Sequence, residues 1–259
     1  MNAIQIYLLI SFLGAVIVIA LVINHRYRLR NESERYPPPG ELMEVDDHGI
    51  HTYASGGGET TLLFLSGHGT TCPIIDFKPL WMRLVKDHRV VIIERPGYGW
   101  SEKTKNPRDI DTLLEETRGA LQLLGEEAPY VLIPHSMGGL VAIYWAQKYP
   151  QEVGAIIGLD PIIPEFVEDS LELPKKINLS IMYLASRMGL PRIMPRDEAE
   201  KRFPLLKSKD ISEKDKEQYL AILNRSAYTG EMLREIDWLP ENAKKVELNR
   251  LPFETPMYF

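Results

Sequence analysis

The sequence predicts an α/β fold: a mostly parallel central sheet flanked by helices, with an inserted helical lid and one N-terminal transmembrane helix. Three observations carry this expectation. Four short, continuous apolar runs read as strands buried on both faces, helical patterns lie between them, and a serine sits where one run passes directly into a helix.

The first 40 residues set themselves apart. Ala3 to Ile23 is 21 residues without a charge, dominated by Leu, Ile, Val and Ala. At about 1.5 Å per residue this helix covers roughly 30 Å, the thickness of a bilayer's hydrocarbon core. No Lys or Arg precedes the run, as a secretory signal would require, whereas His25, Arg26, Arg28 and Arg30 follow it. The positive-inside rule then predicts a single-pass protein with its folded domain in the cytoplasm. Residues 24–40, ending in the polar, Pro-rich stretch from Asn31 to Gly40, read as a linker, and 41–259 as the folded domain.

Within that domain Leu42–Val45 and Ile50–Ala54 flank Asp46-Asp47-His48-Gly49, a turn signal that predicts a hairpin. Buried strands are expected at Thr61–Leu65, Val90–Ile93, Tyr130–Ile133 and Ala155–Leu159. Helices are expected at about Asp76–Asp87, Asp109–Leu124 and Met137–Tyr149, the second bounded by acidic residues at its start and Gly125 at its end. Between Pro164 and Pro252 the rhythm stops: helical stretches near Pro174–Met188, Arg196–Phe203 and Ser212–Ser226 predict a lid over 164–252. Strand rhythm resumes at Pro256–Phe259.

A formal net charge of -6 argues against a phosphate-binding surface, so no nucleic-acid partner is expected, and no cofactor or metal either. Cys72, the single cysteine, excludes an internal disulfide and reads as a structural thiol.

The chemistry concentrates in two places. Val131-Leu132-Ile133-Pro134-His135-Ser136-Met137-Gly138-Gly139-Leu140 is a strand running into a helix with Ser136 at the bend. Such a turn strains the serine and aims its Oγ at the open end of the sheet, which requires a small residue at Gly138; Pro134 stands where a glycine is usual. The N–H of Met137, at a helix N-terminus, is then placed to stabilise an oxyanion. The competing reading is a helix N-cap serine, which leaves the Gly-Gly pair without a reason. Phe64-Leu65-Ser66-Gly67-His68-Gly69-Thr70 is the second place: Gly67 and Gly69 let the backbone turn sharply and offer the N–H of His68 as the other oxyanion donor. Glu94-Arg95-Pro96-Gly97-Tyr98-Gly99-Trp100-Ser101 reads as a tight, structural loop near the site mouth.

Together with Gly158-Leu159-Asp160-Pro161, these segments resemble the α/β-hydrolase superfamily in its lidded esterase, lipase and peptidase branch, over about Leu42 to Phe259. Ser66 replaces the histidine usual in the family's first loop and leaves the backbone donor intact. The resemblance implies attack by Ser136 on the carbonyl of a small-molecule or lipid-like acyl substrate, an acyl-enzyme, and hydrolysis by water. It also implies a histidine after the last strand, yet His25, His48, His51, His68, His88 and His135 all precede Ser136. His135 is expected to pack rather than act, because consecutive side chains diverge at an elbow. Asp160 stands where some members keep their acid, while its local sequence favours a strand-end turn before Pro161 over that role. A chain stopping inside an apolar strand predicts a C-terminally truncated, inactive form of a membrane-anchored serine hydrolase; the alternative is a non-catalytic lidded binding protein on the same fold.

Overall fold

In a computed structural model, which describes residues 2–167, 173–249 and 254–259, the chain opens with helix α1 (Ala3–Arg35). Asn2 caps it: its side chain accepts from the Gln5 N–H while Gln5 reaches back to the Asn2 N–H. Its apolar side chains stand largely in the open from Ile4 to Ile23, and with a mean hydropathy of 3.0 over an 18-residue window the helix is long and apolar enough to cross a membrane.

The expected linker over 24–40 is not one, because α1 continues through Arg35. Contacts with the body of the protein supply what an isolated polar helix end lacks. His25 is buried, and Arg192 donates to His25 Nδ1 (2.9 Å) and to both oxygens of Glu32 (2.6 and 2.7 Å). Arg35 and Tyr36 donate to Glu217, and Trp100 Nε1 donates to the Tyr36 carbonyl (2.9 Å).

Strands β1 (Glu41–Val45) and β2 (His48–Ser55) form the expected hairpin through Asp46 and Asp47, both at positive φ (46° and 62°). Two such residues make the turn whose twist matches a hairpin. Then come β3 (Thr61–Leu65), α2 (Pro73–Asp76), α3 (Lys78–Leu84), β4 (Arg89–Ile93), α4 (Ile110–Leu124), β5 (Tyr130–Ser136), α5 (Gly138–Lys148), β6 (Val153–Ile157) and β7 (Leu159–Pro161). Helices α6 (Leu173–Arg187), α7 (Arg196–Arg202), α8 (Glu213–Ser226) and α9 (Gly230–Leu248) precede the last strand, β8 (Met257–Tyr258). The sheet order is β1-β2-β4-β3-β5-β6-β8, antiparallel in its first two pairings and parallel in the rest, with β7 beside the end of β5.

Side chains alternate along each strand, so the sheet feeds two cores. Leu63 and Leu65 of β3 face α4, α5 and α9 with Leu132, Leu140 and Trp145; Leu62 and Phe64 face Trp81, Tyr219 and Ile222. Cys72 lies fully buried at the start of α2, where burial pushes its thiol pKa up, as a structural thiol requires.

Two expectations about helices are corrected. The helix expected over Asp76–Asp87 is two short ones parted at Phe77, since Pro79 has no N–H for the Ile75 carbonyl and its ring excludes continuous helix there. The segment 164–252 is not uniformly a lid. Helix α9, which a proline at 240 hides from a periodicity argument, buries Ala243 and Val246 in the core beneath the sheet. Its Asn242 accepts from the Ile110 N–H (2.7 Å) and donates to the Arg108 carbonyl (3.0 Å). Described residues of the segment contain no strand, as expected, and its boundary at Pro252 lies outside them.

Candidate active site

The bend after β5 has the geometry its sequence demands. Ser136 has φ 48°, a conformation that costs a non-glycine residue of order 1–3 kcal/mol and persists only where its surroundings enforce it. Here they do: Ile162 N–H donates to the Ser136 carbonyl (2.8 Å), Met137 is already helical (φ -54°, ψ -22°), and α5 follows at once. Ser136 is half-buried rather than enclosed in the core. Gly138 makes this possible, since a Cβ there would lie 2.5 Å from the Leu65 carbonyl oxygen and drive α5 away from β3.

The Ser66–Gly69 loop lies directly on this bend. A Cβ on Gly67 would stand 2.7 Å from the Ser136 Cβ and 2.9 Å from His135 Nδ1. Gly69 turns the loop outward at φ 75°. Among the described residues the N–H groups of His68 and Met137 have no protein acceptor, so both are free to donate to a ligand oxygen. The structure thus brings Ser136, Gly67, His68, Met137 and Gly138 together.

Asp160 is also nearby. It is the bulged residue where β7 meets the end of β5, between the pairs His135↔Leu159 and Ser136↔Pro161, with φ 50° and an exposed side chain. Its charge acts on His135, whose pKa is lowered because burial outweighs that attraction. His135 packs edge-on against Phe77 (6.1 Å between ring centroids), and its Nδ1 is buried without a partner, which fits a packing residue. The His68 ring turns toward Glu235, with 4.0 Å from Nδ1 to the nearer carboxylate oxygen.

Reasoning from sequence missed the residues under the loop. Arg95, read there only as part of a tight turn, donates to the carbonyls of Ser66 (2.6 Å) and Gly67 (3.2 Å) and pairs through Nε and Nη2 with Glu235 of α9 (3.0 and 3.2 Å). Tyr98 donates to the same carboxylate, and its ring lies 4.6 Å from the Arg95 guanidinium carbon. An arginine directly after a buried strand was a signal of a buried partner; Glu235, 140 positions on, gave none.

Glu235 is completely buried. Burial alone would raise its pKa, but the Arg95 charge first, then the His68 ring, the Arg108 charge and the Tyr98 hydroxyl outweigh it and hold the carboxyl at about 2. The folded value lies below the unfolded one, so this group's contribution is complete above about pH 4.5 and is lost as the pH falls toward 2. The thermal midpoint of the chain is therefore expected to fall on acidification through that window, and Glu235→Gln to flatten the fall. An identical pH profile for the variant would refute this.

Three comparisons bear on this geometry. The family model described as alpha/beta hydrolase fold matches residues 61–197, which hold the loop, the bend and Asp160. The uncharacterized protein YbdG of Bacillus subtilis is 31% identical over 253 residues, covering 97% of this chain and 77% of its own. A 2-(acetamidomethylene)succinate hydrolase of Mesorhizobium japonicum is 28% identical over 125 residues, and the chain spans only 44% of it. Among solved structures, one described as a membrane phospholipase A covers 98% of this chain and 79% of its own with a TM-score of 0.56, at 19% identity, a likeness of fold. A sheet of this order, a strained serine at the end of its fifth strand and a family match over residues 61–197 place the chain in the alpha/beta hydrolase fold family.

Proposed function

We propose that the protein is a membrane-anchored serine hydrolase acting on ester or amide bonds of a small-molecule or lipid-like acyl substrate, with Ser136 as nucleophile. The observation that carries this reading is the positive φ of Ser136 beneath a loop that offers a free N–H. Oγ attacks the substrate carbonyl. Its oxygen gains negative charge and accepts from His68 and Met137 N–H, donors fixed before the reaction and so needing no reorganisation. A base takes the Ser136 proton as Oγ attacks and returns it to the departing alcohol or amine; collapse leaves an acyl-enzyme, which water hydrolyses to the acid and the free Ser136 hydroxyl. Asp160, beside the bend, is the acid of this scheme, and α6 to α8 form the lid.

In this reading α1 is the anchor, and Arg26, Arg28 and Arg30 at the end of its apolar run favour a folded domain on the cytoplasmic side; His25, grouped with them from the sequence, accepts from Arg192 through Nδ1 and adds no charge. Flotation of the chain with liposomes in high salt tests that part separately.

A hydroxyl near its ordinary pKa is a poor nucleophile without a base. Residues 137–259 contain no histidine, the His135 ring packs against Phe77, and the His68 ring turns toward Glu235. The 259-residue chain by itself is therefore expected to react slowly with a fluorophosphonate, to speed up when imidazole is added as an external base, and to lose all labelling as Ser136→Ala. The second reading, a non-catalytic lidded binding protein, draws on the same lack of a histidine. It predicts no Ser136 adduct at any imidazole concentration.

A further inference from the structure

We propose that Glu235 is a positioning residue for the oxyanion site: through Arg95 it fixes the Gly67–His68 peptide, so that the donor opposite Ser136 depends on the seating of helix α9. The inference rests on the reading of Ser136 as nucleophile and His68 N–H as a donor.

The Gly67 carbonyl and the His68 N–H belong to one peptide unit, planar and trans, so the two groups point in opposite directions. Whatever holds the oxygen therefore aims the hydrogen. Arg95 holds it, at 3.2 Å from Nη2, and its Nη1 holds the preceding carbonyl of Ser66 at 2.6 Å. Two successive carbonyls drawn to one planar guanidinium leave the loop little freedom to rotate. A charged donor on a carbonyl also polarises the amide, which makes its N–H a stronger donor.

Arg95 is buried, and a long side chain at that depth keeps one position only if its remaining donors are engaged. Glu235 engages them, its two oxygens at 3.0 and 3.2 Å; the Tyr98 hydroxyl donates to the same carboxylate, which His68 Nδ1 and Arg108 Nε also face at 4.0 and 3.9 Å. No other carboxylate bonds to Arg95 among the described residues. The fit is close all round: a Cβ on Gly97, two residues after Arg95, would lie 2.8 Å from the Glu231 Cβ, one turn before Glu235 on α9.

A buried ion pair is weak evidence for stability, since an apolar pair of equal volume often serves as well. What charge adds here is direction: a bidentate fork accepts one orientation of Arg95, and that orientation sets the loop. Helix α9 is thus more than a wall of the core. Displacing it by about one ångström would turn the donor away from the reacting carbonyl.

The test uses the full 259-residue chain in detergent, a fluorophosphonate probe and added imidazole, with the maximal labelling rate separated from probe affinity. Glu235→Gln keeps the volume and removes the charge. Its maximal rate at Ser136 is expected to fall about 10²-fold, the loss seen when one oxyanion donor is removed, with probe affinity unchanged. Arg95→Lys keeps the charge beside Glu235 but loses the fork, carries the same expectation, and serves if Glu235→Gln does not fold. Glu152→Gln, which removes the charge and one of the two oxygens that accept from Arg118 and Trp145 away from the site, should lower the thermal midpoint and leave the rate alone. A folded Glu235→Gln or Arg95→Lys that labels at the parental rate, or that loses affinity alone, overturns the inference while the nucleophile reading stands. An unmodified chain that never labels at Ser136 overturns both.

Discussion

Gly67→Ala is expected to cost at least about two orders of magnitude in the labelling of Ser136, a larger loss than its effect on folding would suggest. The added methyl would stand 2.7 Å from the Ser136 Cβ, 2.9 Å from His135 Nδ1 and 3.2 Å from the His135 carbonyl oxygen. The first is closer than real carbon contacts come, and the third belongs to the backbone of β5, so no rotamer change relieves the whole clash. Either the loop lifts or the bend shifts. A displacement near one ångström at a reacting centre is enough for a hundredfold loss, because donor and nucleophile no longer meet the same carbonyl. Overpacking of this kind costs roughly 1–3 kcal/mol of stability, readable as a lower urea midpoint. Parental labelling by a folded Gly67→Ala chain would mean that the loop does not define the site.

The largest loss of stability is expected at Arg108. Its side chain is wholly buried, with both terminal nitrogens on Glu116 (2.9 and 2.8 Å) and Nε 3.9 Å from Glu235. Arg108→Ala leaves the buried Glu116 carboxylate with only Asn106 and His48 beside it among the described residues, weakens the field that keeps Glu235 ionised and opens a void. Breaking a buried pair from one side costs about 3–5 kcal/mol, a large part of the stability of a typical domain. Arg108→Met combined with Glu116→Gln removes the stranded charge and should recover much of that loss. Equilibrium unfolding in urea reads both variants; a single mutant as stable as the parent would show the pair to be dispensable.

How much of this was legible in the sequence follows from the range of each interaction. The strands are continuous apolar runs because both faces of the sheet are covered, and such runs carry their own signal, as in Leu62 to Leu65 or Val90 to Ile93. Helix α4 announces both ends: Asp109 caps it by accepting from the N–H groups of Asp111 and Thr112, and Gly125 ends it in the left-handed conformation. The bend at Ser136 is legible for the same reason, since strand, serine and small residues fall within ten positions. The cap-like end of α1, the depth of α9 and the Arg95–Glu235 pair are held by partners more than 100 positions away. No local pattern encodes them. Proline also misled in both directions, dividing α2 from α3 at Pro79 while leaving α9 unbroken at Pro240, where tertiary packing outweighs the lost hydrogen bond.

The central claim is that Ser136 and two backbone N–H groups form one acyl-transfer site, and a structure of the chain after reaction with a fluorophosphonate tests it most directly. The account predicts phosphorus bonded to Ser136 Oγ, with the phosphonyl oxygen within about 2.7–3.1 Å of the nitrogens of both His68 and Met137. An adduct on another side chain, or one on Ser136 whose oxygen faces solvent with neither nitrogen in reach, would contradict it.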